Sequence, residues 1–159
     1  MQKITPCLWF NDKAEEAVNL YTSVFPNSEI TSVTRYGEPD AEVSGQPEGS
    51  VQLMTFTLEG LEFTALNGGP MYQFSPAISL QVTCKTQDEI DAVWEQLSED
   101  GEEEMCGWLR DRFGVSWQVM PESLGELLGV PEPARTRVWE RMLQMRKIDI
   151  AALREAAEG

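Results

Sequence analysis

One strand–helix pattern is written twice in this chain, about 76 residues apart, and that repetition narrows the folds open to it. Residues 4–10 (ITPCLWF) are apolar enough for a buried strand and close on the polar Asn11-Asp12. Asp12 with Glu15 three residues later predicts a capping-box helix start. Ala14, Ala17, Val18 and Tyr21 then share one helical face, Val24 and Phe25 extend it, and Pro26-Asn27 stop it. The second copy has a strand over 77–83 (AISLQVT) and a capping pair Thr86 and Glu89. Its helix face is Ile90, Val93, Trp94 and Leu97, and Gly101 ends it.

Each pair is followed by segments with strand character. They span 29–36, 51–58 and 61–67 in the first half, then roughly 103–110 and 114–120 in the second. Gly60, in Leu58-Glu59-Gly60-Leu61, supplies a tight hairpin turn, and Asp111-Arg112-Phe113-Gly114 predicts its counterpart. Residues 37–50 (GEPDAEVSGQPEGS) read as a flexible loop. Repeated strand–helix–strand units of this kind predict an α+β fold with two curved sheets. A helical tail follows, with one short helix from Ser123 to Leu128 and another from Ala134 to Lys147. The second carries Val138, Met142 and Met145 along one side, with Trp139 and Leu143 beside them. Such a stripe predicts a core or a dimer contact, with a Met-lined ligand groove as the alternative.

Composition excludes several functions. The chain has no histidine, so a triad base, an imidazole metal ligand and a proton shuttle titrating near neutrality must come from other residue types. Its net charge of −15 repels nucleic acid and anionic membranes. From Arg135 onward the balance turns to +2, which predicts a tail packed on the acidic body or on a second copy of it. No stretch approaches the ~20 apolar residues of a membrane span, and the first residues lack the apolar core of a secretory signal. Cys7, Cys84 and Cys106 form no CxxC, so reduced thiols in the cytoplasm are expected.

Several groupings carry possible chemistry. Asn67-Gly68-Gly69-Pro70 is either a nest of backbone N–H groups for a small anion or a linker that needs glycine freedom. Trp9, Trp108 and Trp117 lie on strands, with Phe56, Phe63 and Phe74 elsewhere, and an aromatic-lined cleft would stack a flat ligand. On the last strand Ser116, Gln118 and Met120 share one face, with Val115, Trp117 and Val119 on the other. Cys7 is either a nucleophile or an inert strand thiol, and no imidazole is available to activate it. The run 99–104 lacks calcium-loop spacing and reads as a solvated turn. Nothing in the spacing brings Glu59, Glu62 and Asp111 together as an acid/base pair.

The strings TPCLWF, AEEAVNLYTSVFPNSEI, LNGGP, CGWLRDRFGVSWQVMP and LQMRKIDIAALREA resemble the PhnB-like branch of the vicinal-oxygen-chelate superfamily, over residues 1–157. That branch is often labelled 3-demethylubiquinone 3-methyltransferase-like. The resemblance implies two βαβββ modules forming a cleft, usually in a dimer, here with the middle strands of the second module shortened. It implies one such domain over 1–130, with modules 1–70 and 71–121, and a helical tail over 131–159. The superfamily's metal-ligand positions would fall near Cys7, Thr64, Ala77 and Gln118, or Thr5 and Ser79 with the register moved by two. Those residues offer neither imidazole nor carboxylate, so no metal or other cofactor is expected. The methyltransferase label lacks its usual nucleotide-binding strand, Gly-rich turn and helix.

The expected function is therefore a small-molecule-binding protein with an aromatic-lined cleft, metal-free and homodimeric. Its pocket would draw on Cys7, Trp9, Thr64, Asn67, Gly68, Ser79, Trp108 and Gln118. The alternative is a glyoxalase- or PhnB-like enzyme on a small substrate, for which no catalytic residue can be picked out. A third and weaker alternative is a dimerising scaffold without a ligand.

Overall fold

The computed structural model describes residues 2–159, which form two compact units, one ending at Phe74 and the other running from Ser75 to Gly159. The first contains β1 (Cys7–Phe10), α1 (Ala14–Val24), β2 (Ser28–Arg35), α2 (Glu38–Ser44), β3 (Val51–Leu58) and β4 (Leu61–Asn67). The second contains β5 (Ser79–Cys84), α3 (Gln87–Ser98), β6 (Glu102–Glu103), β7 (Trp108–Arg110) and β8 (Ser116–Pro121). It ends in α4 (Leu124–Leu128), α5 (Ala134–Met142) and α6 (Ile150–Glu158).

The two sheets have the same topology. The strand orders are β1-β4-β3-β2 and β5-β8-β7-β6, and in each the first strand pairs parallel with the last while the remaining pairs are antiparallel. The repeated pattern is therefore a repeated βαβββ unit. The shortening of the second unit is local. Cys106 and Gly107 take left-handed conformations (φ 60 and 79), which splits the expected 103–110 segment into two short strands.

One face of each sheet is closed by its helix. In the first unit Ala14, Ala17, Val18, Tyr21 and Val24 are buried, as are Phe10, Met54, Phe56, Phe63 and Ala65 on the strands. Phe56 and Phe63 stack with ring centroids 5.5 Å apart. In the second unit Ile90, Val93, Trp94 and Leu97 are buried, as are Leu109, Trp117 and Val119. Burying side chains of this size stabilises by about 1.5–3 kcal/mol each, so each helix is held by its apolar face.

The caps differ from expectation in one module only. Thr86 caps α3, accepting from Glu89 N at 3.2 Å. Asp12 does not cap α1, because the helix starts one residue later with Lys13 in the cap position. Its first free N–H, on Ala14, donates to Asn67 Oδ1 at 2.9 Å. Two further helices were not anticipated. The stretch 37–50 contains α2, a helix with no buried residue, with Pro39 in its first turn and a left-handed Gly45 at its end. The helix from Ala134 ends at Met142 rather than Lys147, and α6 follows with Asp149 capping Ala152 N at 3.0 Å.

The tail builds a second core. Met120, Leu127, Val138, Met142, Met145, Ile148 and Leu153 bury together, with Cys106 and Trp108 packed against them. Gln87 fastens the tail to the start of α3, donating to Ile148 O and accepting from Ile150 N, both at 2.9 Å. Three of the residues that suggested a dimer contact are thus interior, while Trp139 and Leu143 remain 43% and 59% exposed.

Candidate functional site

Strand alternation leaves each sheet a face that its helix does not cover. On the first sheet this face carries Cys7, Trp9, Glu62, Thr64, Leu66, Leu53 and Thr55. Register aligns Cys7, Thr64 and Thr55 in one row across three strands, and Trp9, Leu66 and Leu53 in the next. Cys7 is exposed, whereas Cys84 is fully buried at the end of β5. Burial, with a smaller contribution from Glu89, pushes the Cys84 thiol up to about 11.

The two thiols, similar in sequence position, thus occupy different environments in their modules. Cys84 stands where β5 ends, the place that Phe10 holds on β1, and it cannot act as the counterpart of Cys7. The raised thiol stays protonated well above the usual cysteine range, so its contribution to stability is complete below about pH 9 and is lost as pH climbs towards 11. Exposed Cys7 should be alkylated in the folded protein, and buried Cys84 should react only after unfolding. Mass spectrometry after timed iodoacetamide exposure checks this, and rapid labelling of Cys84 would contradict the burial argument.

Trp9 is held in one pose. Its Nε1 donates to Gly69 O at 3.0 Å, Tyr72 meets it edge-on with centroids 5.0 Å apart, and its ring lies against Gly68. A Cβ on Gly68 would overlap that ring, so glycine here is a requirement of the tryptophan. The anion-nest reading of Asn67-Gly68-Gly69-Pro70 does not survive. Gly68 N donates to Phe10 O at 2.9 Å and Gly69 N to Asn11 O at 3.1 Å, so neither N–H is free. Asn67 lies on the helix-covered side, 5% exposed; its side chain accepts from Ala14 N and donates to Val51 O, and its carbonyl accepts from the Tyr36 hydroxyl. Asn67 and Gly68 are scaffold residues.

On the second sheet Trp108, Gln118 and Gln81 align in one row, and Ser79, Ser116 and Arg110 in the next. Gln118 Nε2 donates to Ser79 Oγ at 2.8 Å. Ala77, one of the positions matched to a metal ligand, precedes β5 in a turn, and Ser79 is the first residue of the strand. The tail occupies the end of this face, since Met120 and Trp108 join its core. Glu59 accepts from Asn27 N and Glu62 from Thr5 Oγ1, while Asp111 is buried in its own turn.

A divalent ion is a poor fit to these positions. Cys7 with Thr64 and Ser79 with Gln118 supply a thiol, two hydroxyls and an amide, where such ions want imidazole or carboxylate. Among the described residues no three Cys, Asp or Glu side chains are grouped to hold a metal. No helix of the described residues is long and apolar enough to cross a membrane.

The model of the 3-demethylubiquinone-9 3-methyltransferase family matches residues 2–120. The chain belongs to this family. The match stops at Met120, where the tail begins to cover the second sheet, so it is shorter than the resemblance drawn over 1–157. A Bacillus cereus PhnB protein carrying the same methyltransferase name is 45% identical, with TM-score 0.68, and covers 76% of this chain and 99% of its own. Protein PA1353 from Pseudomonas aeruginosa shares the fold at 20% identity and TM-score 0.62, over 77% of this chain and 98% of its own. The fosfomycin resistance protein FosX from Listeria monocytogenes, complexed with Mn(II) and sulfate, shares it at 13% identity and TM-score 0.54, over 81% and 98%. No curated protein matches the chain. Both sheets are mixed four-stranded sheets, and the strand leading into Gly68-Gly69 is followed by turns and then β5, with no helix N-terminus to receive a nucleotide.

Proposed function

We propose that this PhnB-like protein binds a small molecule, without a metal, on the helix-free faces of its sheets. The observation that carries this reading is a tryptophan close to polar side chains on the same face of each sheet: Trp9 near Cys7 and Thr64, Trp108 near Gln118 and Ser79. A tryptophan already fixed by a hydrogen bond and a glycine seat offers stacking area at little ordering cost. In this reading residues 1–130 supply the binding domain and residues 131–159 brace its second module. The protein works as a homodimer in the cytoplasm, where three free thiols stay reduced.

The test is a panel of flat aromatic fragments titrated against ¹⁵N-labelled protein, with the indole signals of Trp9 and Trp108 as the readout. At least one fragment should shift them saturably, and the matching Trp→Ala variant should weaken it by about tenfold or more. Fragments that leave both signals unmoved would refute the reading. Calorimetric titration with zinc and nickel should show no site tighter than micromolar, and Cys7→Ser should change nothing. Stoichiometric metal retained through dialysis against chelator would overturn the metal-free reading and favour a metal-dependent glyoxalase-like enzyme.

A further inference from the structure

Ser116 opens β8 between Ser79 on β5 and Arg110 on β7. It is 2% exposed, and its Oγ has no hydrogen-bond partner among the described residues. A buried hydroxyl left unpaired is costly, and folded proteins satisfy nearly all of theirs, so an exception points to a group supplied from outside the chain. Ser116 shares its strand face with Gln118, two residues on, and that face lies opposite the Trp117–Val119 side packed on α3.

The neighbouring pair has spare capacity of the same kind. The Gln118–Ser79 bond uses one amide hydrogen and one hydroxyl lone pair. It leaves the Ser79 O–H as a donor and Gln118 Oε1 as an acceptor. Arg110, the cation of this row, is engaged by Glu102. The two neighbouring rows therefore offer two hydroxyl donors and an amide acceptor beside a cation already paired with Glu102. Trp108 stands beside Gln118 in register, and Arg110 stands beside Ser116.

We infer that Ser116, Gln118 and Ser79 form a subsite for an uncharged group that both accepts and donates hydrogen bonds, of the primary carboxamide kind. Its carbonyl takes the two serine hydroxyls, its N–H meets Gln118 Oε1, and an attached flat ring lies on Trp108. A carboxylate finds no free counter-charge here and supplies no donor for Gln118. The inference rests on the binding reading above and names the ligand chemistry of the second sheet.

Benzamide, benzoate and toluene separate the possibilities, with the Trp108 indole and Gln118 side-chain amide signals as readouts. Wild-type protein should bind benzamide more tightly than toluene or benzoate. Ser116→Ala should raise the melting temperature of the free protein, because an orphaned polar group is removed, and should weaken benzamide by about tenfold while leaving toluene unchanged. If Ser116→Ala lowers the melting temperature, the hydroxyl is already satisfied by trapped water and the inference is wrong. Toluene binding equal to that of benzamide would sink the subsite alone, whereas silence from all three probes would sink the binding reading of this sheet as well.

Discussion

Removing residues 131–159 should unfold the second module rather than release a passive appendage. The deletion takes Val138, Met142, Met145, Ile148 and Leu153 out of the core that also holds Met120 and Leu127. Side chains of this size contribute about 1.5–3 kcal/mol each when buried, so the five together remove roughly 10 kcal/mol before the ordering entropy of the tail is returned. That is comparable with the whole stability of a domain, about 5–15 kcal/mol. The truncated protein should lose near-ultraviolet circular dichroism from the second module's tryptophans and bind a hydrophobic dye. Retention of the full-length melting temperature to within a few degrees would show that the tail is dispensable. Replacing Trp139 and Leu143 together by Glu is the complementary experiment, because both are exposed. This variant should keep the fold, and if α5 forms the proposed dimer contact it should sediment as a monomer. An unchanged dimer would place that contact elsewhere.

Asp111→Ala should be the most damaging single substitution of a polar residue. Asp111 is 3% exposed, and its carboxylate accepts from Phe113 N at 2.9 Å, Val115 N at 3.0 Å and Trp117 Nε1 at 2.9 Å. These bonds hold the β7–β8 turn closed and fix the ring at the centre of the second core. Alanine would strand three donors, and a buried group left without its partner costs about 1–3 kcal/mol. Relaxation and water entry reduce the sum, leaving an expected loss of about 3–4 kcal/mol in denaturant unfolding of the full chain. Asp111→Asn should cost less, since its side-chain carbonyl can still accept from the turn. A loss below about 1 kcal/mol for alanine would mean that this turn is held by other contacts.

The periodicity of the sequence carried most of the architecture. Ala14, Ala17, Val18 and Tyr21, and again Ile90, Val93, Trp94 and Leu97, are all buried. An apolar stripe at helical spacing has one low-energy destination, the uncovered side of a sheet. Both hairpin turns were legible for a similar reason: Gly60 and Gly114 take φ of 81 and 92, which other residues adopt only with strain. Alternation along β8 likewise placed Gln118 and Ser116 on one face from the sequence alone.

Wherever a residue's role depends on what lies across from it, tertiary structure decided. Asp12 carries a good capping signal, yet Asn67, 53 residues beyond Ala14, takes the helix N-terminus because β4 runs parallel to β1 and ends beside it. The glycines at 68 and 69 suit an anion nest locally, but the strand pairing consumes their N–H groups and the Trp9 ring claims the space. The helix α2 has no apolar period to reveal it, because none of its residues is buried. The Met and Val stripe of α5 specified burial, but not whether this chain or a second copy would supply the other wall. The return of the chain through Ile148 and α6 decided it, by bringing Leu153 and Ile148 to a face that spacing alone left open. Local spacing fixes which side of an element is apolar, and only long-range pairing fixes what that side meets.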